Sequence, residues 1–347
     1  MEITEIITNT DHEKVLSGRD ATTGYHGIIA IHSTVLGPAV GGTRFWNYTS
    51  EAEALTDALR LSQGMTYKTA LAGLPLGGGK SIIIGDSKSS NREALLRAHG
   101  RFVEILKGSY ITAEDVGTSP ADMEIMRLET QHVGGLIGGA GDPSPHTARG
   151  VFRAIQASTR FLWKTDDLSE MTVAIQGCGH VGHHLARLAH EAGAKLFVTD
   201  VDDNSVSRVV DEFGAKFVRP ADIFSTRANI FAPCALGGVI NDATIPELNV
   251  QIVAGAANNQ LLADRHGAML RERNTLYAPD YVANAGGVLR GCTELLSWDP
   301  DYAAGKIEEI YDTMLRIFES AEAQGLPTNE AADRLAEDRL RNAAPAQ

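Results

Sequence analysis

The stretch TVAIQGCGHVGHHLARLAHEAGAKLFVTD, residues 172–200, decides the fold. It opens on Thr172 to Gln176, an apolar run of strand length. The run passes directly into Gly177-Cys178-Gly179-His180-Val181-Gly182, a G-x-G-x-x-G hexapeptide, and Val181 to Glu191 then carries an apolar stripe at helical spacing. A second apolar run, Lys195 to Thr199, ends at Asp200, 18 residues after Gly182. Strand, glycine turn, helix, strand and acid in this register form the pattern of a dinucleotide-binding βαβ unit. Gly177 permits the tight turn, Gly179 lets backbone approach a pyrophosphate, and Gly182 lets helix and strand pack closely. The helix N-terminus adds N–H donors and the positive end of a dipole. A carboxylate at Asp200 suits ribose hydroxyls and repels a 2′-phosphate, and Asp202 and Asp203 add to that repulsion, so NAD is favoured over NADP.

Outward from this unit, strand and helix continue to alternate. A helix is predicted over Ser205–Phe213, with strands near Ala228–Ala232, Gln251–Ala254 and Thr275–Ala278. That order implies a parallel sheet covered by helices. The first 140 residues read as a separate α/β unit. Gly27–Ser33 is a buried-strand run, and Ser50 opens a helix three residues before Glu53, with Leu55, Ala58, Leu59 and Ser62 on its inner stripe. A glycine turn at Gly77–Gly79 leads into strand Ser81–Ile84; a helix over Asn91–Leu106, a strand over Tyr110–Ala113 and a cap at Ser119-Pro120 follow. GGLIGGAGDPSP, residues 134–145, has no period and reads as a hinge. Two amphipathic helices, Tyr302 to about Glu322 and Asn329–Arg341, close the chain. The expected division is 1–140, 141–324 as the dinucleotide-binding domain, and a C-terminal helix in 325–347.

Composition narrows the function classes. A formal net charge of -13 without a basic stripe argues against nucleic acid. No run of about 20 apolar residues would span a membrane, and the acidic, mixed N-terminus lacks a signal-peptide pattern. Cys178, Cys234 and Cys292 are scattered, as expected of reduced thiols in a cytoplasmic protein, and neither they nor the His183–His184 pair has metal-ligand spacing, so no metal is expected.

Lys68 and Lys80 stand out in MTYKTALAGLPLGGGKS, residues 65–81. A phosphate-binding P-loop is excluded, because its first glycine would fall at Leu74. A lysine held dry beside a second cation loses charge stabilisation and becomes a usable base near neutral pH. Two surface lysines flanking a turn fit the same spacing.

GPAVGGTR (37–44), the lysine segment, TAEDVGT (112–118), PSPHTARGV (143–151), GCGHVG (177–182), IFAPCALGGVIN (230–241), AGAANNQL (254–261) and YVANAGG (281–287) occur in this order. Together they closely resemble the leucine/valine/phenylalanine branch of the glutamate, leucine and phenylalanine dehydrogenase family, over nearly the whole chain. The resemblance implies NAD-dependent oxidative deamination of an L-amino acid, with 1–140 as the substrate, catalytic and oligomerisation domain, the active site between the domains, and the C-terminal helix returning to the first. Lys80 matches the lysine that activates water, and Asp115 the acid that exchanges protons with the amino group. Lys68 matches the α-carboxylate ligand, helped by Asn259 and backbone near Gly41. Thr147 and the Ala235 backbone match groups around the nicotinamide, with Asn284 at the same site. Homo-oligomers from dimer to octamer are implied.

On substrate, Val40 stands where glutamate dehydrogenases carry a lysine for the second carboxylate, and Gly291 where they carry a serine. An unpaired buried carboxylate costs several kcal/mol, so acidic amino acids are disfavoured. Leucine- and phenylalanine-type enzymes usually carry a branched aliphatic residue at the place of Gly291. The expectation is therefore a wider pocket favouring Phe, Leu or Trp-type side chains, unless Leu289, Cys292 or Leu295 refills the space. A Leu/Val-preferring enzyme is the alternative. His180 and Arg290 also depart from the family pattern, His180 as a shaper of the cofactor loop, Arg290 without an assigned role. An NAD-sensing non-enzymatic protein would have lost Lys68, Lys80 or Asp115; a hydroxy-acid dehydrogenase would need His146 paired with a carboxylate.

Overall fold

The computed structural model describes residues 1–343, which form two compact units. Of the described residues, the first comprises Met1–Gly141, Gly291–Ser297 and 336–343; the second comprises Asp142–Arg290 and Trp298–Leu335.

In the first unit, strands β1 (Glu2–Glu5), β2 (Lys14–Asp20), β3 (Tyr25–Ser33), β4 (Ala39–Trp46), β5 (Gly77–Ile84) and β6 (Tyr110–Glu114) make one sheet in the order β1-β2-β3-β5-β4-β6. Pairing is antiparallel from β1 through β3 to β5, and parallel from β5 through β4 to β6. Helix α1 (Glu51–Leu71) covers one face through Ala54 and Ala58 against Ile28, Ala30 and Ile82. Helices α2 (Arg92–Glu104) and α3 (Pro120–Arg127) cover the other, where Leu96, Phe102, Val103, Met123 and Met126 meet Ile29, Phe45 and Ile83.

The caps are as the sequence suggests. Ser50 accepts from Glu53 N at 3.1 Å, while the Glu53 carboxylate reaches back to Thr49 N at 2.9 Å. Ser119 and Asp122 form a capping box with Pro120 at the first turn.

The expected turn at Gly77–Gly79 is instead the first half of β5. The reason is steric. A Cβ on Gly78 would stand 2.0 Å from Thr66 N of α1, so helix and sheet backbones touch where side chains would normally separate them.

In the second unit, α4 (Ser144–Trp163) runs directly from the Gly/Pro-rich segment and is buried along Ala148, Val151, Ala154 and Ile155. Strands β7 (Thr172–Gln176), β8 (Lys195–Thr199), β9 (Lys216–Phe217), β10 (Ile230–Pro233), β11 (Ile252–Val253) and β12 (Leu276–Tyr277) form a wholly parallel sheet in the order β12-β11-β10-β7-β8-β9. Helices α5 (His180–Glu191), α6 (Asp203–Phe213), α7 (Arg265–Glu272), α8 (Asp280–Ala283) and the first half of α9 (Gly286–Leu295) accompany it, the rest of α9 from Gly291 belonging to the first unit. Strand order reverses beside β7, so the glycine loop sits at the topological switch point, at the carboxyl end of its strand.

The single helix expected from Tyr302 is two, α10 (Pro300–Glu308) and α11 (Ile310–Gln324). The last helix, α12 (Thr328–Asn342), begins in the second unit, and its final turns belong to the first. There Arg339 donates to Ala70 O and, at 3.2 Å, to Leu74 O, which closes the end of α1. Replacing Arg339 with Ala leaves those carbonyls without this donor and should cost about 1–3 kcal/mol. A lowered urea midpoint reads this out; an unchanged midpoint would mean that α12 contributes nothing through these bonds.

Candidate active site and dinucleotide loop

The chemistry of the first unit gathers where β4, β5 and β6 run parallel. Lys80 is 5 % exposed on β5, and Asp115 follows the last residue of β6. Lys80 Nζ donates to Asp115 Oδ2 at 2.7 Å. The register brings Gly41 opposite Thr112, and a Cβ on Gly41 would stand 1.8 Å from Gly79 O. Only glycine allows these strands to close around the pair. Val40, buried, pairs with Gly78 and Ile111. Lys68 stands partly buried in the last turn of α1, two residues beyond the Thr66 backbone that touches β5.

Burial lowers the Lys80 pKa; Asp115 opposes the shift and Arg44 adds to it. For Asp115, burial alone would raise the pKa. The charges of Lys80 and Arg44, with their hydrogen bonds, outweigh it and hold the carboxyl at about 2. Sequence reasoning missed Arg44, whose Nε donates to the same Asp115 oxygen at 3.0 Å. Its one signal was its place at the end of GPAVGGTR.

In the second unit, Gly177 adopts φ 103°, and a Cβ on Gly182 would stand 1.8 Å from Gly177 O. A Cβ on Gly179 would meet nothing within 4 Å, so the outer side of the loop is open. Asp200 lies at the end of β8, where Oδ2 accepts from Cys178 N at 2.6 Å and Oδ1 from Asp202 N at 3.0 Å. The carboxylate therefore ties the loop to the next strand. Cys178 is buried, and burial first, then Asp200, pushes its thiol up to about 12. Val181 is partly buried in the first turn of α5; His180 projects outward, 3.9 Å from Asp142 Oδ2.

Ala235 N lies 2.9 Å from where a Gly177 Cβ would be, which puts that backbone beside the loop. Thr147, in the first turn of α4, faces α9: a Cβ on Gly287 would stand 2.8 Å from its hydroxyl oxygen. Asn284 is buried and donates to Ala256 O and Asn258 Oδ1, while its own Oδ1 has no partner. An orphaned buried carbonyl among exposed loop residues fits a donor such as a carboxamide N–H₂. Asn259, exposed at φ 52° on the loop after β11, is neighbour to Asn258. Arg290 acts on His146, whose pKa falls through burial and then through that positive charge. The residues present thus fit a nicotinamide dinucleotide.

A doubly wound sheet with this loop, in one chain with a buried lysine paired to an aspartate, is the pattern of a dinucleotide-dependent oxidoreductase. Comparison with known proteins agrees. The family model for the Glu/Leu/Phe/Val dehydrogenase dimerisation domain matches residues 12–132, and that for glutamate/leucine/phenylalanine/valine dehydrogenase matches 138–206 and 198–347. The chain belongs to this family of amino-acid dehydrogenases. It is 52% identical to leucine dehydrogenase of Geobacillus stearothermophilus, covering 98% of this chain and 94% of that one. Phenylalanine dehydrogenase of Caldalkalibacillus thermarum is 45% identical, with 96% and 93% covered. The crystal structure of L-tryptophan dehydrogenase from Nostoc punctiforme superposes with a TM-score of 0.86 at 46% identity, covering 96% of this chain and 97% of that one.

Gly182→Ala forces a methyl group against the Gly177 carbonyl and should weaken NAD binding more than tenfold, about 1.4 kcal/mol, in a protein with an unchanged circular dichroism spectrum. Calorimetric titration with NAD decides; wild-type affinity in this variant would remove the loop from the cofactor site.

Proposed function

We propose that the chain catalyses reversible NAD-dependent oxidative deamination of an apolar L-amino acid to its 2-oxo acid and ammonia, with bulky side chains favoured. The observation that carries the reading is the Lys80–Asp115 pair, 2.7 Å apart, with Lys80 buried beside the close backbone contact of Gly41 and Gly79. Bound NAD supplies the acceptor for the hydride that leaves the substrate Cα. This chain's residues do the rest. Lys68, the Gly41 backbone and Asn259 hold the α-carboxylate. With Lys80 neutral, the charge that chiefly holds the Asp115 carboxyl low is gone, and Asp115 takes a proton from the substrate ammonium, freeing the nitrogen lone pair that forms the C=N bond as hydride departs. Lys80, its charge destabilised by burial, accepts a proton from the water that attacks the iminium carbon. Asp115 returns its proton to nitrogen, ammonia leaves as the C=O bond forms, and the freed Asp115 carboxylate takes up the hydroxyl proton; Lys80 and Asp115 then pass their protons to water. Thr147, the Ala235 backbone and Asn284 position the nicotinamide; Asp200 and the loop of Gly177, Cys178, Gly179, His180, Val181 and Gly182 hold the rest of the dinucleotide.

The side-chain preference rests on two positions of the first unit. Val40 is apolar and offers no partner to a second carboxylate. Apart from its chain neighbours, a Cβ added at Gly291 meets nothing within 4 Å, which supports room for a larger substrate side chain there. The identity to a leucine dehydrogenase favours the second reading, a Leu/Val-preferring enzyme. The match of residues 12–132 to a dimerisation domain supports a homo-oligomer built through the first unit. No described helix is long and apolar enough to cross a membrane, and a cytoplasmic setting suits this chemistry.

NADH formation with L-Leu, L-Val, L-Phe, L-Trp and L-Glu tests the proposal. Turnover of the apolar substrates is expected, with Phe or Trp at least equal to Leu and Glu inactive. Lys80→Ala should lose roughly 10²–10⁴-fold in kcat. Gly291→Leu should move preference towards Leu by about tenfold, ~1.4 kcal/mol. Valine far ahead of phenylalanine would overturn the side-chain preference, and silence across the panel from folded, NAD-binding protein would overturn the reaction.

A further inference from the structure

Both cations at the Asp115 carboxylate end on one oxygen. Oδ2 accepts from Lys80 Nζ at 2.7 Å and from Arg44 Nε at 3.0 Å. Arg44 comes from β4, and its guanidinium is held on a second side: Nη1 donates to Asp57 Oδ2 at 2.8 Å. Asp57 belongs to α1 and also accepts from Tyr48 Oη at 2.5 Å. The absent side chain at Gly42 opens the approach, since a Cβ there would stand 2.8 Å from Asp115 Cβ. Helix, two strands and the segments following β4 and β6 thus meet in one hydrogen-bonded chain, Lys80–Asp115–Arg44–Asp57–Tyr48.

We propose that Arg44 is a positioning residue for the deamination. Anchored by Asp57 and Tyr48, it pins Oδ2 of Asp115 beside Lys80 and turns Oδ1 towards the substrate amino group. The inference rests on the roles given above to Lys80 and Asp115. A planar guanidinium bonded on two edges fixes direction in a way that a single ammonium does not. Its charge has a second effect. The groups that face Lys80 include Asp115, Arg44 and Asp57, and those that face Asp115 include Lys80, Arg44 and Tyr110. Arg44 lowers the Lys80 pKa, whereas Asp57 raises it. Because Lys80 acts neutral, activity rises with pH through its pKa. Loss of the Arg44 charge must move that rise to higher pH, and loss of the Asp57 charge must move it to lower pH.

The test is the pH profile of kcat/KM for the full-length enzyme with its best apolar substrate, in wild type, Arg44→Met, Arg44→Lys and Asp57→Asn. The rising limb should move up by roughly one pH unit in Arg44→Met and down in Asp57→Asn. Arg44→Lys should keep the limb near its wild-type position but lose about tenfold or more in kcat. A merely structural role would lower stability without moving the limb in opposite directions. Should Arg44→Met fail to fold, Asp57→Asn and Arg44→Lys still decide. Folded variants with the wild-type limb and kcat would overturn the role of Arg44 while leaving Lys80 and Asp115 intact. A Lys80→Ala enzyme as active as wild type would overturn the reading of the site itself, and with it this inference.

Discussion

Lys80 is almost closed to water on the first sheet and is paired with the half-buried Asp115 that follows β6, and the surrounding backbone is arranged to permit it. Burying an ion pair is costly unless its geometry is tight and its remaining valences are met. Glycines supply the geometry: Gly41 against Gly79 and Gly78 against α1 bring strands and helix closer than side chains would allow. Arg44 meets a remaining acceptor site on Oδ2. Beneath the pair lies a neutral network, with Thr43 joined to Ser81 at 2.8 Å and His99 Nε2 to Ser81 at 3.0 Å. Tyr25 closes it on His99 Nδ1 at 2.7 Å. Burial holds the His99 pKa at about 3, so this layer adds no competing positive charge near neutral pH.

The second unit uses close backbone approach for a different end. Gly182 against Gly177 seats α5 on the end of β7, and Asp200 fastens the Cys178 amide, so the loop is formed by the chain's own bonds. A loop fixed in advance loses little conformational freedom when a ligand arrives. The orphaned Asn284 Oδ1 is the counterpart: a buried acceptor left without a protein partner.

Much of this was legible in the sequence, for identifiable reasons. The strand-loop-helix from Thr172 to Glu191 was readable because β7 and α5 each have the apolar period of their own type. Ser50 and Ser119 announced their helices through cap chemistry that acts within four residues. Features that depend on distant segments were hidden. Gly77–Gly79 looks like a turn because local propensity knows nothing of the Thr66 backbone that demands glycine there. The return of Gly291–Ser297 to the first unit likewise depends on long-range contacts, such as Glu294 accepting from Leu136 N at 3.1 Å. Arg44 escaped because its meaning lies in Asp115, 71 positions away.

Lys80 is a buried base whose charge is sustained chiefly by Asp115. The most direct test of this is the titration of the Lys80 ammonium by NMR of isotope-labelled lysine, in wild type and in Asp115→Asn. The midpoint should lie below that of an ordinary lysine and fall further when Asp115 loses its charge. A midpoint at the ordinary lysine value that ignores the Asp115 substitution would contradict this.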